Sequence, residues 1–338
     1  MTSGSATGQT IITRKTRNAV FLVLTVNNGG EAKVRDVLSG FTGLVRSVSS
    51  RAPDESLTGV AAIASDAWDR LFGGPRPKDL KPFRELVGSS HTAPATPGDI
   101  LLHIKADDDA VCFELAAQAV REFGDAVSVA DDVHGFRYFE MRDLTGFVDG
   151  TENPAGSQAL DTITVDDDPD FDGGSYVTVQ RYVTDFGKWN SLSTTEQEIV
   201  FGRTKADNIE FPDEDKAPNA HIAVNQVNDA DGNQLQILRD NMAWGSPSGE
   251  RGTYYIAYCG DPDVTEQMLV KMFVGDPVGN YDRLLDFTTA VTGTSFFAPS
   301  ADFLDNPPAP SVAAVEDSAV PAPPDRPADG SLGIGSLR

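Results

Sequence analysis

One pattern occurs twice along this chain: a strand-length run, an acidic turn, then an amphipathic helix. Residues 99–105 alternate apolar and polar, Asp107-Asp108-Asp109 makes a turn, and Val111 to Phe123 carries apolar residues at helical spacing. The same order returns at 252–258, Asp261-Pro262-Asp263 and 265–273. Aspartates at a helix start accept from its free backbone N–H groups and face the positive end of its dipole. The recurrence suggests a duplicated α+β unit. The fold class expected is α+β, built as two ferredoxin-like halves of antiparallel sheet with packed helices, over residues 1–145 and 146–303.

Other elements fit this frame. Residues 19–26 form an apolar run of signal-peptide appearance, but it lacks a small-residue cleavage site and meets Asn27-Asn28-Gly29-Gly30, so it reads as a first strand ending in a turn, in a chain that stays cytoplasmic. Val34, Val37, Leu38 and Phe41 fall at helical spacing, Leu44 to Val48 resembles a second strand, and 58–65 another. From residue 304 the character changes: seven of the 21 prolines lie between Pro307 and Pro327, so 304–330 reads as a flexible Pro/Ala-rich linker.

With 27 Lys and Arg against 51 Asp and Glu, the net charge of −24 makes nucleic acid and anionic membrane surfaces poor partners. No run approaches the ~18–20 apolar residues of a membrane helix. Cys112 and Cys259, the only cysteines, each sit in an apolar segment and read as small buried hydrophobes. No HExxH, CxxCH, Walker A, GxGxxG or EF-hand pattern occurs.

The segment Gly146-Phe147-Val148-Asp149-Gly150-Thr151-Glu152-Asn153-Pro154 describes a tight loop holding one aspartate, suited either to a cavity wall or to a plain Asx turn. Among the four histidines, His103 alternates with Lys105 on what reads as the wet face of a strand, His91 lies in a Ser/Thr/Pro-rich loop, His134 precedes Gly135 in a turn, and His221 stands in Pro218-Asn219-Ala220-His221-Ile222. Arg239 and Asn241 follow 18 and 20 residues after His221.

Taken together, these blocks resemble the dye-decolourising peroxidases. The 146–154 segment is similar to that family's GxxDG signature, and His221, Arg239-x-Asn241, Phe201-Gly202-Arg203-Thr204-Lys205 and Thr294-Ser295-Phe296-Phe297-Ala298-Pro299-Ser300 match the rest in the order and spacing of its bacterial cytosolic branch, over about residues 18–303. The resemblance implies a non-covalent haem b held by the C-terminal half, with His221 as the iron's axial ligand and Arg203, Arg239, Phe296 and Phe297 around it. It implies Asp149, Arg239 and Asn241 as the groups acting on hydrogen peroxide. A carboxylate is expected on the other ring nitrogen of His221, from Asp282 or Asp286. Aromatic reducing substrates, dyes or lignin-like phenols, would deliver electrons through exposed aromatics, for which Trp189, Trp244 and the tyrosines near Tyr254 are available. A homo-oligomer is also implied. The acidic runs 166–168 and 213–215 suit solvated loops or cation capture. A haem-handling protein without peroxide turnover, similar to a deferrochelatase, is the alternative, and the presence of both Asp149 and Arg239 favours the enzyme.

The last residues, Leu332, Gly333, Ile334, Gly335, Ser336 and Leu337 within 331–338, turn apolar again after the linker. They resemble the cargo-loading peptides that place these peroxidases inside encapsulin shells. Aliphatic anchors can enter a shell groove while glycines permit close backbone approach, and the tether raises effective concentration.

Overall fold

A computed structural model describes residues 7–310; the shell-targeting peptide expected at 331–338 and most of the expected linker lie outside the described residues. The N-terminal half runs β1 (Asn18–Val26), α1 (Glu31–Ser49), β2 (Thr58–Ala64), β3 (Ile100–Ala106), α2 (Asp109–Phe123) and β4 (Val127–Phe136). Their sheet order is β2-β3-β1-β4, all antiparallel. The C-terminal half supplies β5 (Ser175–Thr184), α3 (Thr194–Phe201), α4 (His221–Val224), β6 (Leu238–Arg239), β7 (Met242–Gly245), β8 (Arg251–Cys259), α5 (Pro262–Phe273), β9 (Thr288–Ala290) and β10 (Thr294–Ala298). Here the order is β7-β8-β5-β10, the same permutation of first, second, third and fourth strand.

The halves join edge to edge. β10 pairs with β2, β4 pairs with β7, and the β5–β8 pairing completes a closed barrel. Closure leaves no free edge between the halves to recruit another chain. It also buries both faces of the central strands β1 and β3, while β4 keeps one face exposed. In β1, Ala19, Phe21 and Val23 point into the barrel with Tyr254, Ile256, Tyr258 and Phe296. Val20, Leu22 and Leu24 point outward and pack under α1 and α2. The acidic caps behave as their position demands: Asp108 Oδ1 accepts from Ala110 N at 2.9 Å and Asp261 Oδ1 from Asp263 N at 2.9 Å. Among the described residues no helix is long and apolar enough to cross a membrane.

The structure departs from three of these expectations. Leu44 to Val48 is not a strand, because α1 continues unbroken to Ser49. Val45 and Val48 extend the spacing of Val34, Val37, Leu38 and Phe41, and the face they make lies on β2, where Gly59 leaves room for Phe41 and Val45. His103 is not on a wet face. It and Lys105 lie at 0% and 2% exposure, because β3 is a central strand of a closed barrel and its inward face meets Tyr258 and Asp240. His134, expected in a turn, lies in β4 with an exposed side chain.

Phe296 and Phe297 are core residues and not part of a cofactor pocket. Phe296 fills the barrel interior, while Phe297 meets Trp68, Phe171 and Tyr176 edge-on at 5.8, 5.6 and 5.0 Å between ring centres. Their alternation along β10 sends them to opposite faces, both already filled. Truncating a fully buried phenylalanine removes its transfer energy and leaves a cavity. Phe297→Ala is therefore expected to cost about 3–5 kcal/mol in urea unfolding; a loss under 1 kcal/mol would contradict this placement.

Candidate active site

The cavity lies on the outer face of the C-terminal half, between that half's sheet and α5, and opens to solvent. Tyr182, Thr184, Thr253 and Tyr255 come from the sheet, Met268, Leu269 and Met272 from α5, and Leu284 from the segment after it. Met268 and Met272 sit one turn apart, so α5 presents a polarisable apolar stripe to the space.

His221 opens the four-residue α4 and lines this cavity. Its Nδ1 donates to Asp282 Oδ2 at 2.6 Å, so of the two carboxylates left open by the sequence Asp282 is the partner. Asp286 instead accepts from His91 and Tyr281. Asp282 is fully buried and accepts also from Leu284 N at 2.9 Å and Asn225 Nδ2 at 3.3 Å. Asn225, one helical turn after His221, further donates to the His221 carbonyl at 2.7 Å, fixing the ring's base. The sequence carried that residue only as an i, i+4 neighbour.

The opposite wall comes from the glycine loop and the β6–β7 segment. Gly146 and Gly150 take φ of +93° and +77°, which a side chain resists, and a Cβ on Gly146 would stand 2.5 Å from Lys205 Cε. This loop carries Asp149 into the cavity wall, where its Oδ1 accepts from Asn241 Nδ2 at 3.3 Å. Asn241 Oδ1 in turn accepts from Ile256 N at 3.0 Å, so the amide is oriented from behind. Asn153 Nδ2 donates to the Arg239 carbonyl at 2.6 Å and its Oδ1 accepts from Arg239 N at 3.0 Å, tying the loop to β6. Arg239 and Asn241 point to the cavity while Asp240 between them turns into the barrel, the ordinary alternation of extended backbone.

Both Arg239 and Arg203 line the cavity with a buried Nε that has no partner among the described residues. Arg203 reaches only Glu152, at 3.4 Å. Two guanidinium groups with unmet donors at one cavity suit an anionic ligand bearing carboxylates. The expected site residues Asp149, His221, Arg203, Arg239 and Asn241 are thus brought together, whereas Phe296 and Phe297 are not among the lining residues.

Comparisons with known proteins cover most of the chain. The sequence profile of "Dyp-type peroxidase, N-terminal" matches residues 8–137 and that of "Dyp-type peroxidase, C-terminal" matches 140–303. The chain belongs to the Dyp-type peroxidase family. It is an enzyme, a peroxidase. It is 54% identical to the dye-decolorizing peroxidase of Rhodococcus erythropolis over 98% of this chain and 96% of that one. The relative from Mycobacterium tuberculosis is also 54% identical, over 98% and 96%. In structure it is similar to the encapsulated DyP-type peroxidase of Mycobacterium smegmatis, with TM-score 0.88 and 53% identity over 90% of this chain and 99% of that one. A variant of Rhodococcus jostii RHA1 DypB in complex with heme gives TM-score 0.87 and 49% identity over 90% and 99%.

Within this peroxidase the candidate electron-transfer aromatics are interior. Trp189, Trp244 and Tyr254 are 1%, 8% and 0% exposed, and the two indole N–H groups donate to the carbonyls of Thr145 and Tyr182 at 3.1 and 3.0 Å. Their size won a place in the core, and both indole edges find a backbone acceptor there. The acidic runs are partly neutralised: Lys78 pairs with Asp167, and Lys216 meets Asp213 at 2.7 Å.

A second carboxyl at the cavity, Asp143, was not singled out in the sequence. Thr145 donates to its Oδ1 from both its backbone N–H and its hydroxyl. Removal from water pushes this carboxyl up to about 6, and the nearby charge of Asp149 adds to the rise. The folded chain then holds the proton up to about pH 6, while an unfolded Asp releases it near 3.9. Across this window the native state binds more protons, so stability falls as pH rises. Asp143→Asn is expected to flatten that slope, with the wild type losing on the order of 2 kcal/mol more than the variant between pH 4 and 6.5 in urea unfolding. Parallel pH profiles would refute the assignment.

Proposed function

We propose that this peroxidase holds haem b without covalent attachment and reduces hydrogen peroxide at the expense of dyes, phenols or lignin-like aromatics, as cargo of an encapsulin shell. The observation that carries the reading is one cavity with His221, backed by Asp282, on one wall and Asp149, Asn241 and Arg239 on the other. The unmet Nε groups of Arg239 and Arg203 suit the two propionates, and the apolar side chains of α5 suit a porphyrin face. Bound there, haem supplies an iron that accepts peroxide and passes two oxidising equivalents to the reductant.

The protein's own groups divide the remaining work. Asp282 holds the proton on His221 Nδ1, which leaves Nε2 as the ligand nitrogen and makes the ring a stronger donor. Asp149 accepts the proton from the near oxygen of peroxide and returns it to the leaving oxygen, and Asn241, bonded to the same carboxylate, keeps it turned to the cavity. Arg239 sets a fixed positive charge beside the leaving hydroxide. A haem-handling protein would use His221 and the same walls, but needs neither Asp149 nor Arg239. The net charge of −24 favours neutral or cationic reductants over sulfonated dyes at neutral pH.

Purification with haem supplied, followed by peroxide and a phenol or anthraquinone dye, tests the reading: a Soret band with turnover is expected, and a band without turnover would leave the haem handler. Arg239 is expected to matter at least as much as Asp149. In stopped-flow mixing with peroxide, Arg239→Leu should slow the first spectral change by about 10²–10³-fold, the scale of losing one charge-stabilising donor; a near-normal rate overturns its role. For the shell, co-expression with an encapsulin should package the full chain and exclude one lacking 331–338, and packaging of the shortened chain would refute the targeting role.

A further inference from the structure

Tyr258 and His103 form a pair inside the barrel that peroxide activation at the cavity does not employ. Both are fully buried, and the Tyr258 hydroxyl lies 2.8 Å from His103 Nδ1. If Nδ1 carried the proton, the phenol O–H and Nε2 would both lack partners; if Tyr258 donates to Nδ1, only Nε2–H does. The second arrangement leaves one fewer buried group unmet, which makes Tyr258 the donor. Burial and the neighbouring Lys105 ammonium keep the imidazole neutral, pushing it down to about 3. Lys105 is fixed in turn by Asp240 Oδ2 at 2.7 Å.

A phenol buried in an apolar interior gives up an electron readily only if its proton has somewhere to go. Among the described residues the other buried tyrosines show no basic acceptor: Tyr182 donates to the amide oxygen of Gln180 at 2.8 Å, the Tyr176 hydroxyl accepts from Asp79 N at 3.1 Å, and the Tyr254 hydroxyl has no partner. Tyr258 has one, and it is close to the chemistry. It pairs across strands with Leu238, whose neighbour Arg239 lines the cavity, so one thickness of sheet separates the pair from the site.

We infer that Tyr258 and His103 form a redox-active site that takes one oxidising equivalent from the cofactor when no external reductant is at hand. The inference rests on the haem peroxidase reading above. One electron leaves Tyr258 for the cofactor that peroxide has oxidised, the phenolic O–H bond breaks, and the proton forms an N–H bond at His103 Nδ1. A neutral tyrosyl radical and an imidazolium result, the cofactor is reduced by one electron, and hydrogen peroxide, reduced to water, is the oxidant. Because His103 is a weak base, the proton returns when an electron arrives, so the site recharges. Phe21, stacked on His103 at 4.8 Å, helps exclude water from the radical.

Freeze-quench electron paramagnetic resonance on the holoenzyme mixed with peroxide and no reductant tests this. The wild type should show a tyrosyl radical that Tyr258→Phe diminishes at least five-fold, and the Soret band of that variant should bleach several-fold faster under excess peroxide. In ²H₂O the wild-type radical should show coupling to an exchangeable deuteron, a measurement that needs no variant to fold. A Soret band that responds to peroxide with no tyrosyl radical, with one unaltered in Tyr258→Phe, or with one lacking that coupling overturns the inference alone. A wild-type Soret band unmoved by peroxide overturns both readings.

Discussion

The pairing of Arg251–Cys259 with Ser175–Thr184 closes the sheet, and most of what the chain does depends on that closure. An open sheet would leave one face of each strand to water. The closed one has an inside and an outside, and residues one apart along a strand enter different environments. Arg239 and Asn241 reach the cavity while Asp240 is drawn inward to meet Lys105. Removing one member of a buried ion pair costs ~3–5 kcal/mol because the other charge stays behind. Lys105 and Asp240 therefore hold the segment bearing Arg239 and Asn241 from the rear, and they do so from opposite halves of the chain.

The cavity sets two arginines among acidic neighbours in a molecule of strongly negative charge. A chain of net charge −24 places Arg203 and Arg239, each with an unmet buried Nε, at the same walls. Such donors are expensive to bury without a partner. Their cost is tolerable where a carboxylate-bearing ligand completes them, which is why the observation speaks for an anionic cofactor edge and not merely for a large void.

The sequence was informative where chemistry sits in short segments and misleading where burial depends on closure. The glycine loop with Asp149, His221, and Arg239 with Asn241 were legible because each lies in a local block. The strand and helix order of both halves was legible from periodicity and the acidic caps. His103 and Lys105 read as solvent-facing because a half-buried strand shows that alternation, and only the closing strand buries the second face. Phe296 and Phe297 sit in a block that belongs to the family's pattern, yet their positions on β10 commit them to the barrel interior and to the Trp68 cluster. Leu44 to Val48 reads as a strand from its own short apolar run, yet it continues α1, whose Gly40 and Gly43 face open space and leave the helix intact.

Three carboxylates at or behind the cavity differ by what meets their oxygens. Asp282 is held by His221, Asn225 and Leu284, so its charge is committed to orienting the ring. Asp143 has Thr145 on one oxygen, and desolvation drives it toward the neutral acid. Asp149 accepts one side-chain bond among the described residues, from Asn241 at 3.3 Å, and none to a fixed cation. A group that must take and return a proton within one turnover cannot be clamped by several donors or by a salt bridge, since each would resist one half of the cycle. That environment suits the proton-carrying role proposed for Asp149, with Asp143 beside it pushed toward the neutral acid, which adds little repulsion below about pH 6.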